Sequence, residues 1–216
     1  MSAILCDSIP ARASIHSSCY ARHNSFLANE MDGDEVEEMV VLVDEGGAPI
    51  GEMPKRSVHG TSTPRHLAFS CHLVDRRGRL LVTRRALVKA TWPGVWTNAL
   101  CGHPLPGEAM EDAVRRRAWF ELGAEIRAVT CILPDFGYTA RDASGIQENE
   151  HCPVFIAEVV SPLVPHPDEV DEVEWTTVGK LSAATSAAPW AFSPWLVAHL
   201  PALAPHLLEA TARHHA

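Results

Sequence analysis

The chain has 216 residues, 46% apolar and 21% charged, a globular balance that excludes wholesale disorder. Its formal charge of −9 gives no general attraction to nucleic acid or anionic lipid, so an anionic ligand would need a local cluster of bases. No run of 18 apolar residues occurs, and Pro201 and Pro205 cut the apolar C-terminal stretch, which argues against a membrane span.

Residues 1–35 lack apolar periodicity and lead into an acidic run from Glu30 to Glu38, so they read as a disordered extension. They show no basic cluster followed by an apolar core, so no secretory signal is expected. The cysteines are Cys6, Cys19, Cys71, Cys101, Cys131 and Cys152, with no CxxC pair. Free thiols in a reducing cytoplasm follow as the expectation.

Residues 39–43 form a β-branched run ended by a Gly-rich turn, and 66–74 read as a second strand. A turn at 75–78 returns the chain through 80–83. A Pro/Gly-rich loop covers 91–107. A helix follows from about 109 to 122, because Met110, Ala113, Val114, Ala118 and Leu122 recur at three- and four-residue steps, and Gly123 ends it. Residues 126–133 and 152–160 read as strands. Residues 179–187 and 193 to about 210 read as helices, the second with Pro194 in its first turn. This order predicts an α+β fold, a mixed sheet with flanking helices, over residues 36–200, followed by a helical tail at 201–216. Trp119 and Trp175 are expected in the core, and His199, His206, His214 and His215 on the surface of the tail.

Gly102, Glu108, Arg116, Glu121 and Gly123 fit the spacing Gly-x5-Glu-x7-Arg-x4-Glu-x-Gly. This resembles the Nudix box, a loop–helix–loop that holds a divalent metal against a diphosphate. Two box glutamates are replaced, by Arg117 and Phe120, which leaves few carboxylates to generate a hydroxide nucleophile. That speaks against a Nudix diphosphohydrolase, the alternative function.

A longer motif is more specific. Trp92-Pro93-Gly94-Val95-Trp96-Thr97-Asn98-Ala99-Leu100-Cys101-Gly102-His103-Pro104 resembles the signature of type 1 isopentenyl-diphosphate isomerases. Arg65 to Ser70, Glu148-Asn149-Glu150 and Pro189 to Trp195 are similar to that family in the same order. The resemblance implies a Nudix fold that moves a double bond through a tertiary carbocation, turning isopentenyl diphosphate into dimethylallyl diphosphate. It implies one metal site of His59, His66, His103, Glu148 and Glu150 holding Mn²⁺, Mg²⁺ or Zn²⁺. On a strand, Glu148 and Glu150 would face the same side, and such an N/O set suits a six-coordinate ion completed by water.

The resemblance also sets Cys101 on one face of the substrate and Glu150, with Tyr138 beside it, on the other. Which group donates first stays open. A free thiol titrates near about 8.5, so Cys101 would be mostly protonated at neutral pH. Trp195 would stabilise the cation through its ring face, worth about 2 kcal/mol when desolvated. Lys55, Arg85, Lys89 and Arg117 would hold the diphosphate, with a second ion, Mg²⁺, on Glu121. The expected partner is a small-molecule diphosphate, with neither nucleic acid nor membrane. A non-catalytic binding module is the third reading, disfavoured because binding alone needs no acid or base on each face.

Overall fold

The computed structural model describes residues 37–212, and the extension expected at 1–35 lies outside them. In chain order, β1 (Met39–Val43) and β2 (Pro49–Pro54) form a hairpin followed by the single turn α1 (Lys55–Val58). Then come β3 (His66–Leu67), β4 (Phe69–Val74), β5 (Leu80–Arg85), β6 (Trp96–Thr97), β7 (Leu100–Gly102) and α2 (Met110–Leu122). The chain continues through β8 (Ile126–Leu133), β9 (Gly137–Arg141), β10 (Gln147–His151), β11 (Val154–Val159) and β12 (Val170–Thr176). It closes with α3 (Val178–Ala187), a 3₁₀ turn (Pro189–Ala191) and α4 (Pro194–Ala212).

The strands make two sheets. One has the order β2-β1-β3-β10-β9; the other runs β12-β5-β4-β11-β8, with β6 paired to β5 and β7 to β4. The single strand expected at 66–74 is two strands. Ala68 is the switch point, and its N–H donates to the carbonyl of His151 while Ser70 N–H donates to Pro153. The chain at 147–159 switches sheets in the same place, at Cys152 and Pro153. Both pairs cross together, β3 beside β10 and β4 beside β11, each parallel.

The second sheet is covered on both faces, and the two-residue period of its strands sorts the core. Phe155, Ala157 and Val159 of β11 pack toward α2, whereas Val154 and Ile156 pack toward α3 and α4. Leu81 and the pair Leu80 and Val82 divide in the same way. Strand β4 is buried at all six positions, including the polar residues Ser70 and His72. Helix α4 continues through Pro201 and Pro205 to Ala212, and buries Leu196, Leu200, Leu203 and Leu207 on that sheet. Full burial of each such leucine is worth about 1.5–3 kcal/mol. Among the described residues no helix is long and apolar enough to cross a membrane.

Two expectations are corrected here. Trp119 is 54% exposed, because it lies on the outer side of α2 while Ala113, Val114, Ala118 and Leu122 fill the inner one. His199 is buried, because α4 turns that position onto β4, where its Nε2 lies 2.9 Å from Nε2 of buried His72.

Candidate active site

Strand register brings the first residues together. Glu150 on β10 is paired with His66 on β3 and with Tyr138 on β9. Directly paired residues share a sheet face, so the three side chains form one row. His59 joins from the residue after α1 and His103 from the residue after β7. Ligand atoms of His59, His66, His103 and Glu150 all lie within 4.8 Å of one another. Glu148, two residues before Glu150, approaches His59, with Oε2 2.9 Å from Nε2, and Thr91 Oγ1 donates to its other oxygen at 3.1 Å.

The site's buried atoms are not satisfied by hydrogen bonds. Nε2 of His59, His66 and His103 and Oε2 of Glu148 are buried without a hydrogen-bond partner, despite the short His59–Glu148 distance. Each buried polar atom left unpaired costs about 1–3 kcal/mol. Three such nitrogens converging with a Glu150 oxygen, and Glu148 Oε2 beside His59, fit a divalent cation, for which imidazole nitrogen and carboxylate oxygen are suitable ligands. Burial drives the His103 imidazole down to about 4, so it is neutral at pH 7 and able to ligate. Burial opposes charge on Glu150, but the imidazoles of His103 and His66, 3.4 and 3.6 Å away, hold its carboxyl well below the usual range. Burial, reinforced by the charges of Glu150 and Glu148, raises the Tyr138 phenol well above its ordinary value.

The second sheet supplies the thiol. Cys101 on β7 is paired with Ser70 on β4, and Ser70 Oγ lies 3.5 Å from the sulfurs of both Cys101 and Cys152. Burial pushes the Cys101 thiol up to about 11, so it is protonated at neutral pH. Trp195 opens α4 and is 4% exposed. It is set there by the preceding turn, where Phe192 bridges to Trp96 and Ser193 N–H donates to the Trp96 carbonyl at 2.8 Å. Around its ring stand Tyr138 at 5.6 Å, Trp92 at 5.5 Å and the Arg85 guanidinium at 5.4 Å.

The four expected diphosphate ligands are each engaged. Lys55 pairs with Glu38 at 2.8 Å. Arg85 donates to the carbonyls of Thr91 at 2.9 Å and Trp92 at 3.2 Å. Lys89 pairs with Glu169, and Arg117 lies between Glu121 at 2.7 Å and Glu169 at 3.1 Å. Burial raises the Glu121 carboxyl although Arg117 opposes it. Glu121 is therefore paired with Arg117 and stands outside the His/Glu cluster. Glu169 is a site residue that sequence reasoning missed; it lies in a loop of the chain with no motif of its own. The box glycines serve packing and geometry. A Cβ at Gly102 would stand 2.7 Å from the Arg117 side chain, and Gly123 takes φ +57° at the end of α2. Glu108 and Arg116 clasp each other at 2.7 Å, and Arg116 also donates to the His103 carbonyl at 3.1 Å, so they hold the loop that carries a candidate ligand.

Residues 64–196 match the NUDIX domain family. An isopentenyl-diphosphate Delta-isomerase of Brevibacterium linens is 66% identical over 177 residues, covering 80% of this chain and 97% of the relative. The enzyme of that name from Agromyces mediolanus is 62% identical, covering 74% of this chain and 78% of its own. The crystal structure of DR0079 from Deinococcus radiodurans, at 22% identity, matches the fold with a TM-score of 0.59 over 76% of this chain and 98% of that one. The chain belongs to the isopentenyl-diphosphate Delta-isomerase family, within the NUDIX domain proteins.

Proposed function

We infer that this chain isomerises isopentenyl diphosphate to dimethylallyl diphosphate, and that Cys101 and the Glu150–Tyr138 pair are its acid–base groups. The observation that carries the reading is that the Cys101 thiol and the Glu150–Tyr138 pair stand at one aromatic cluster around Trp195. A proton is added at C4 and another is removed from C2, and the C=C bond moves from C3–C4 to C2–C3. The charge in between sits on C3. The Trp195 ring can stabilise that cation by about 2 kcal/mol without bonding to it. The closely packed Trp92 and Phe192 side chains help to exclude water, which would otherwise capture the cation as an alcohol.

His59, His66, His103, Glu148 and Glu150 would hold one Mn²⁺, Mg²⁺ or Zn²⁺, and Glu121 would hold an Mg²⁺ that accompanies the diphosphate. When bound, these ions supply positive charge that favours ionised Glu150 and the anionic substrate head. Lys55, Arg85, Lys89 and Arg117 bind and orient that head; their present carboxylate and carbonyl partners keep them aimed before it arrives. Arg117 is the clearest departure from hydrolase chemistry, since it offers a cation where the Nudix box has a carboxylate. The described cysteines are free thiols, which supports the cytoplasmic compartment expected from the sequence.

The test is incubation with isopentenyl diphosphate and Mg²⁺ in D₂O, followed by NMR. Deuterated dimethylallyl diphosphate is the expected product. Released phosphate would favour hydrolysis, and unchanged substrate would refute catalysis.

A further inference from the structure

We propose that Asn98 is a positioning residue that locks the Cys101 thiol and the Trp195 indole into one rigid unit. The proposal rests on the roles assigned to Cys101 and Trp195 above.

Asn98 lies between β6 and β7 and has no solvent exposure. Its Nδ2 donates to the Leu100 carbonyl at 2.7 Å, and lies 3.2 Å from the Cys71 carbonyl and 3.3 Å from the Cys101 sulfur. Its Oδ1 accepts from Trp195 Nε1 at 3.0 Å and from Thr97 Oγ1 at 3.0 Å. The amide can adopt only one orientation. Turned over, it would set its oxygen against two backbone carbonyls and its NH₂ against the indole N–H. The sulfur therefore meets both ends of the amide, with the Nδ2 donor at 3.3 Å and Oδ1, able to accept the S–H, at 3.5 Å. Those contacts fix the position of the sulfur and offer its S–H two acceptors, Asn98 Oδ1 and Ser70 Oγ, each at 3.5 Å.

The same amide fixes the ring. Trp195 Nε1 is shared between Asn98 Oδ1 and Thr97 Oγ1, both at 3.0 Å, and Thr97 is joined to Ser193 at 2.8 Å. One buried side chain thus touches the proton-transferring sulfur through its nitrogen and the cation-facing ring through its oxygen. The cation forms between those two groups, so their relative placement decides which hydrogens and which carbons react. Misplacement by about 1 Å can cost about 100-fold in rate. A merely structural asparagine, there only to satisfy two loop carbonyls, would lower stability and leave the geometry of reaction intact.

The test compares Asn98→Ala, Trp195→Phe and the double variant, each checked for folding by urea denaturation. Two quantities are read: kcat and KM for isopentenyl diphosphate, and label fidelity. Fidelity is followed with substrate stereospecifically deuterated at C2 and ¹³C-labelled at C4. It reports which C2 hydrogen is lost and which product methyl carries C4. Asn98→Ala should lower kcat about 10- to 100-fold, leave KM within about 3-fold, and scramble at least one label. The double variant should be little worse than the poorer single, because both changes break the same link.

Should Asn98→Ala fail to fold, Trp195→Phe is the working probe. It keeps an aromatic ring, deletes the N–H that holds Asn98 together with some ring volume, and should also scramble label. Trp92→Phe, which also removes ring volume beside Trp195 but leaves its N–H bonds, is the volume control and should scramble label less than Trp195→Phe. Wild-type fidelity in Trp195→Phe, or independent multiplying effects in the double variant, would overturn the coupling. Cys101→Ala and Trp195→Leu are run in parallel. If these keep normal turnover, the site assignment itself falls; if they collapse while Asn98→Ala keeps both kcat and fidelity, only the coupling falls.

Discussion

The buried His72–His199 pair should make stability fall steeply in mild acid. Both imidazoles are buried where α4 packs on β4, and they share one hydrogen bond at 2.9 Å. Burial pushes His72 from 6.5 down to about 3, and His199 well below its usual value. Unfolded, each would take up a proton near pH 6.5, so below that pH the unfolded chain binds more protons. The stabilisation is therefore whole above pH 6.5 and is lost as pH falls toward about 3. A pH of 5 lies about 1.5 units below the unfolded value of His72 and above its folded one, and each unit is worth about 1.4 kcal/mol, giving a loss of about 2 kcal/mol from His72 alone. His199 adds a loss of the same sign. Urea unfolding at pH 7.5 and pH 5.0, with chelator so that the metal ligands titrate alike, compares the native chain with His72→Gln. The glutamine keeps a partner for His199 but does not titrate, so the variant should lose about 2 kcal/mol less than the native chain between the two pH values. Parallel pH profiles would refute the reasoning.

Exhaustive chelation should abolish turnover and lower the unfolding midpoint at pH 7.5; Mg²⁺ with Mn²⁺ or Zn²⁺ should restore both, and full activity in verified metal-free protein would count against the cluster. Turnover should fall in the order Trp195, Trp195→Phe, Trp195→Leu, with a gap of about 2 kcal/mol, or roughly 30-fold, to leucine; equal rates for the two variants would reduce the ring to a shape-filler. Arg117→Met should destabilise the fold by about 3–5 kcal/mol in urea, because Glu121 and Glu169 would face each other without the cation between them; unchanged stability would mean that water already screens that network.

The sequence showed the site more clearly than the fold. Residues 92–104 hold the thiol, the loop and His103 in one contiguous stretch, so their chemistry is visible without tertiary structure. Glu148 and Glu150 are legible as same-face neighbours, but their alignment with His66 and Tyr138 depends on a three-strand register that no local pattern encodes. Strands β2, β9 and β12 escaped notice for a shared reason. They lie at sheet edges, and their sequences, Pro49–Pro54, Gly137–Arg141 and Val170–Thr176, carry glycine, proline or charge in place of an alternating apolar face. The central strands β4, β5 and β11 bury residues on both faces, and the apolar stretches Leu80–Val82 and Val154–Ala157 make two of them legible. His199 was misjudged because a histidine in a tail is usually exposed; only the helix rotation that buries Leu196 and Leu203 turns it inward. Glu169 has no local signal, since its importance comes from two cations, Lys89 and Arg117, that the chain supplies far from it.

The joint passage of two parallel strand pairs from one sheet to the other, at Ala68 and at Cys152–Pro153, also has a kinetic consequence. His66 and Glu150 are neighbours only once more than 80 intervening residues have been gathered, so the cation ligands share no local segment that could pre-form. Closing a loop of that length is entropically costly before any contact rewards it. Helix α2 and the hairpins can form early, while the β3–β10 seam must wait for them. Nascent chain released before residue 148 would hold the three imidazoles without either carboxylate of the cluster. Loading with the ion thus belongs at the end of folding, as a clasp on the seam, rather than as a seed for it.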